Sequence, residues 1–221
     1  MNNHNALLFY NREYLYNIHY LINNGYLNWH FFNFDNCNYI NGTNLDFKEF
    51  TINNKFLINA RNNKILLAED IISKGILFPF FAYSFNYQNL KNNILVGQGK
   101  HRIYSLLLYK TYYNTNINKE FLWIEFPKKL KNEIPPNVLY EFNGATNSIE
   151  LINTPIQTSF PQLYRVFDRM GSCLSNRMFN NEIFKPNPIL NDKNLFQQFI
   201  STPLDENNIL FQYLPKEYLQ N

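Results

Sequence analysis

The sequence predicts an α+β protein, and three observations carry that expectation. Residues 11–24 and 64–74 place apolar side chains three and four residues apart, the spacing of a helix face. Short apolar and aromatic runs of strand length, 78–83, 94–96 and 121–126, are bounded by Asn, Gly or Pro. After the second run, Gly97-Gln98-Gly99 leads at once into a segment of helical period, as in a strand, a tight turn and a helix start.

Taken in order, residues 11–24 put Tyr14, Leu15, Ile18, Leu21 and Ile22 on one face, with Asn24-Gly25 as the stop. His19 has no second ligand three or four residues away, so it reads as a half-exposed structural residue rather than a metal ligand. The aromatic runs 27–34, 37–40, 49–52 and 56–58, broken by Asn, Asp and Gly, read as short strands and hairpins. In 64–74, Ile65, Ala68, Ile71 and Ile72 share one side, Glu69, Asp70, Ser73 and Lys74 lie towards the other, and Gly75 closes the helix. Pro79 fits the start of a strand. Ile103, Leu106, Leu107 and Lys110 then share a helix face with the lysine at its wet end, and Pro127 ends the 121–126 strand.

Past Pro127, Lys128-Lys129-Leu130-Lys131 and Pro135-Pro136 read as a basic, then rigid, connector. Residues 137–159 suit a hairpin or loop. Residues 161–181 suit a helix, interrupted at Gly171, with Arg165, Arg169 and Arg177 on one broad side. That row is either a solvated face or a surface that tracks a nucleic-acid backbone. The tail suits one short helix near 195–200 and packed loops. The expected organisation is an N-terminal extension over 1–60, a core over 61–130 and a C-terminal helical extension over 131–221.

At 221 residues and 45% apolar content the chain has enough material for a core. Lys and Arg number 20 against 17 Asp and Glu, a balance that permits a nucleic-acid partner without demanding one. The 39 asparagines are interleaved with large apolar residues, as expected of an AT-rich coding sequence rather than a prion-like tract. Cys37 and Cys173 are far apart and show no metal-ligand spacing, and no run approaches a membrane span or a signal peptide. A cytoplasmic protein without a membrane partner is the expectation.

The chemistry concentrates at the glycine turn. Gly97 and Gly99 allow positive φ and close approach of backbone to a ligand, while the new helix offers unpaired N–H groups and the positive end of its dipole. Lys100, His101 and Arg102 occupy its first turn, where like partial charge disfavours cations unless an anion joins them. A solvated basic corner after an ordinary turn is the other reading of the same residues.

The order of helix, Gly75, strand, strand, glycine turn, helix and strand resembles the ParB/sulfiredoxin-like superfamily over roughly residues 64–127. Leu67 to Phe80 looks like its first box, a helix ending in glycine, an apolar pair and a proline-led strand. Ile94 to Leu107 looks like its second, a strand leading to Gly-x-His/Arg-Arg and a helix. The resemblance implies a small mixed sheet with flanking helices, to which the N- and C-terminal segments are extra. It implies Gly97, Gly99, Lys100, His101 and Arg102 as phosphate-binding residues, a nucleoside triphosphate with Mg²⁺ as cofactor, and a nucleotide or DNA as partner. Glu69, Asp70 and His101 become candidate catalytic residues for phosphotransferase, NTPase or nuclease chemistry. Lys100 stands where sulfiredoxins carry their cysteine, which removes the nucleophile of sulfinic-acid repair, and Lys-His-Arg replaces the Glu-Arg-Arg of partition proteins. A non-catalytic DNA-binding or adaptor module that keeps the fold is the alternative.

Overall fold

The computed structural model describes residues 3–42, 50, 61–126, 133–143, 145–146, 148–156, 163–167, 186–205 and 207–213. The expected strands at 49–52, apart from Phe50, whose N–H donates to the Tyr39 carbonyl at 3.1 Å, and at 56–58, the connector lysines, Cys173, Arg169, Arg177 and most of the 161–181 helix lie outside these residues. The chain divides into two compact units, one made of Asn28–Phe126 and Lys185–Lys193, the other of Met1–Leu27, Pro127–Phe184 and Asn194–Asn221.

The first unit is a five-stranded mixed sheet with helices, as expected of an α+β chain. Its strands are β1 (Asn28–Asn33), β2 (Asn38–Asn41), β3 (Phe80–Ser84), β4 (Asn93–Gln98) and β5 (Glu120–Glu125), in spatial order β1-β5-β3-β4-β2. β1 runs antiparallel to β5 and β3 antiparallel to β4, whereas β3 and β5, and β2 and β4, are parallel. Both edge strands therefore come from residues 28–41, a stretch the sequence assigned to an N-terminal extension. They extend the sheet by pairing with β5 and β4.

The sheet curls. Tyr39 on edge strand β2 stacks on Trp123 of β5 with ring centroids 5.8 Å apart, although β3 and β4 stand between them in the ladder. In a flat sheet those strands would be about 14 Å apart. Phe80 of β3 also stacks on Trp123, at 4.8 Å, and Phe34 on Tyr39 at 4.8 Å, so these four rings form one connected cluster.

The helices α2 (Arg61–Lys74) and α3 (Lys100–Tyr113) pack side by side, burying Ala68, Ile71, Ile103 and Leu106. Lys110, expected at the wet end of α3, instead pairs with Asp35 at 2.5 Å; the same carboxylate accepts from the Asn118 amide at 2.7 Å. Those donors hold Asp35 below its usual range against the opposing effect of burial. After α2, Gly75 adopts a φ of +101°, and a short helix α5 (Pro188–Asn191) lies against that turn. Asn191 binds both backbone groups of Ile76, accepting from its N–H at 2.6 Å and donating to its carbonyl at 2.8 Å.

The second unit contains α1 (Asn3–Asn23), the hairpin β6 (Tyr140–Asn143) and β7 (Ser148–Leu151), the helical residues 163–167 (α4) and α6 (Lys193–Ser201). The expected face of α1 is present: Tyr14, Leu15, Ile18 and Leu21 are fully buried. His19 is structural, its Nε2 lying 2.8 Å from the Thr202 carbonyl, and burial holds its pKa below 6.5. Asn17 clamps the hairpin by exchanging two hydrogen bonds with the Tyr140 backbone, at 2.8 and 2.9 Å.

Two outcomes are expected. Asn191→Ala removes the bonds to Ile76 and a third to the Asn187 carbonyl at 2.9 Å; it should cost about 2–3 kcal/mol in urea denaturation. Glu13 on α1 has a buried Oε2 without a hydrogen-bond donor, and burial lifts its carboxyl from 4.5 to about 7. The raised folded pKa makes its contribution complete below pH 4.5 and lost as pH rises from 4.5 to about 7. Glu13→Gln should therefore gain thermal stability relative to wild type between pH 4.5 and pH 8; a constant difference would contradict this.

Candidate functional site

β4 reaches α3 through a distorted stretch. Its register against β3 slips at Gly97 and again at Tyr83, a double irregularity that re-aims the end of the strand. Gly99 then takes a φ of +99° as the N-cap of α3, and a Cβ there would lie 2.5 Å from the Phe80 ring. Only glycine meets both conditions. As glycine, it brings no side-chain oxygen to the amides of the helix's first turn.

Arg102, one turn into α3, folds back over the same ring with its guanidinium carbon 4.3 Å from the Phe80 centroid. Its Nη2 donates to the Pro79 carbonyl at 2.9 Å and its Nη1 to the Phe78 carbonyl. The sequence offered this residue as a phosphate ligand, with a solvated basic corner as the other reading. The structure gives it backbone carbonyls at the start of β3, and so a stitching role between helix and strand.

Lys100 and His101 remain at the turn and are joined by Lys64 from the first turn of α2, whose Nζ lies 3.3 Å from His101 Nδ1. Burial lowers the pKa of both lysines. His101 is lowered by burial first, then by Lys64 and by Lys100. Three basic groups from two helices thus crowd the positive end of the α3 dipole.

The candidate acids lie elsewhere. Glu69 accepts from the Tyr113 hydroxyl at 3.3 Å, and Tyr113 ends α3, about 18 Å along the axis from His101. Asp70 pairs with Lys74 at 2.6 Å on an exposed helix face. The structure therefore brings together Gly97, Gly99, Lys100 and His101, adds Lys64, turns Arg102 towards β3, and leaves Glu69 and Asp70 with other partners. Among the described residues no group of three or more His, Cys, Asp and Glu side chains could hold a metal ion. None of their helices is long and apolar enough to cross a membrane.

Lys64 had a signal in the sequence. It sits four and seven residues before Ala68 and Ile71, so a lysine begins the stripe that packs against α3.

Comparison of the chain with family models, curated proteins and solved structures finds no match. What can be said of the site thus rests on its own geometry: a glycine-capped helix start in a mixed α+β unit, lined by basic side chains.

Arg102→Ala should lower stability by about 2 kcal/mol or more, since two carbonyls lose a charged donor and Phe80 its cation. Arg102→Lys should recover only part of this, because an ammonium lacks the guanidinium fork. Gly99→Ala should cost at least as much through the ring clash and the positive φ. Chemical denaturation of the three variants measures the order, and a neutral Arg102→Ala would contradict the stitching role.

Proposed function

We propose that the chain is a phosphate-binding protein of the ParB/sulfiredoxin-like type that takes a nucleotide or DNA phosphate at the start of α3. The observation that carries this reading is the gathering of Lys64, Lys100 and His101 at one helix N-terminus, where, among the described residues, the charges acting on His101 are those of the two lysines. An oxyanion relieves that crowding and accepts from the turn's amides. The succession of α2, Gly75, β3, β4, glycine turn, α3 and β5 within a mixed sheet agrees with the fold the resemblance implies. The chain's two cysteines, far apart in sequence, fit a cytoplasmic protein.

The donors at the turn are basic nitrogens, which repel a divalent cation. Mg²⁺ therefore does not fit a protein-held site there and would arrive with the phosphates of a nucleotide. Phosphoryl or phosphodiester chemistry would need Glu69 or Asp70 to leave Tyr113 or Lys74. Those engagements favour the second reading, binding without turnover, over a kinase, NTPase or nuclease.

The test is calorimetric titration with nucleoside triphosphates and Mg²⁺, then with single-stranded and duplex DNA. Lys64→Ala and Lys100→Ala should each weaken binding about tenfold, the worth of one charge-assisted hydrogen bond. Absence of heat with every ligand would remove the proposal. Nucleotide turnover or plasmid nicking abolished by Glu69→Gln would restore the enzymatic reading.

A further inference from the structure

Lysine carries only donors, so its Nζ at 3.3 Å requires His101 Nδ1 to be the accepting nitrogen and places the ring proton on Nε2. An imidazolium has N–H on both nitrogens, and its Nδ1–H would point at an ammonium. Protonation and the Lys64 contact therefore exclude one another.

Among the described residues, the charged groups that act on the ring do not compensate a second positive charge there. Lys64 faces the ring from α2 and Lys100 from its own helix, and both act against protonation. The acids of α2 are taken by Tyr113 and Lys74, Arg102 is held by the Phe78 and Pro79 carbonyls, and the helix end is itself positive.

We infer that His101 is a proton-coupled latch: neutral and accepting from Lys64 in the free protein, and protonated when a doubly charged oxyanion draws Lys64, Lys100 and the ring onto itself. This role presupposes the phosphate site proposed above and adds its regulation. The ring takes its proton from solvent as the anion binds. By linkage, each event then favours the other to the same degree. Affinity is highest below the free-state pKa of the ring. It falls as pH rises towards the bound-state value and is constant above it.

Sulfate is the probe, because it keeps two charges from pH 5 to 8 and cannot itself supply the titration. The His101 ring resonance is followed by NMR over that range, with and without sulfate, at constant ionic strength. A pKa below 6.5 without sulfate and a higher one with it are expected. Sulfate affinity at pH 5.5 should exceed that at pH 8, by up to about tenfold for each unit of that rise. His101→Asn can accept from Lys64 but not protonate, and should bind sulfate equally at both pH values. Sulfate binding that is independent of pH, with an unshifted ring, would overturn the latch and keep the site. Sulfate that perturbs neither His101 nor the lysines at any pH would overturn the site. If His101→Asn does not fold, the wild-type titration decides alone.

Discussion

The unit built on the mixed sheet depends on the guanidinium of Arg102 lying over Phe80 while it holds the carbonyls of Phe78 and Pro79. Pro79 has no N–H, and just before β3 the carbonyls of Phe78 and Pro79 accept from a charged side chain. The same ring that seats the guanidinium leaves no room for a Cβ at Gly99. A cation–π contact, two hydrogen bonds and a positive-φ glycine thus set where α3 begins relative to the sheet. Everything proposed for the turn presupposes that placement.

Elements whose evidence is local were legible in the sequence. The apolar face of α1, the strand runs at β3, β4 and β5 and the short helix near 195–200 follow from period, glycine and proline, although α1 begins at Asn3, well before residue 11; residues 137–159, read as a hairpin or loop, form a hairpin. The sheet order was not legible, because pairing β2 with β4 and β1 with β5 joins segments 55 and about 90 residues apart, and nothing in Asn38 or Asn28 names its partner. Half of the candidate site was legible on the same terms. Lys100 and His101 are neighbours of the glycines that reveal them. Lys64 comes from another helix, and Arg102's partners are main-chain carbonyls that leave no trace in side-chain pattern.

The acids of α2 and the basic cluster at the glycine turn have different partners. Along α2, basic Lys64 meets the start of α3, while Glu69 bonds to Tyr113 at the end of α3 and Asp70 pairs with Lys74 within α2 itself. Had either carboxylate neighboured His101, the lysines there would have been neutralised within the protein. Separation along two packed helices keeps that charge available to an incoming anion, at the expense of burial that lowers the pKa of each lysine.

The cluster of rings has a consequence for how this chain can vary. Phe80 touches Trp123 on one side, Arg102 on another, and the space above Gly99 on a third. A smaller residue at 80 would open room for a side chain at 99 but strip the arginine of its seat, and a larger one would do the reverse. Substitutions at 80, 99 and 102 are therefore epistatic: each is tolerated only against particular identities of the other two, so relatives that have drifted here should have drifted at all three together.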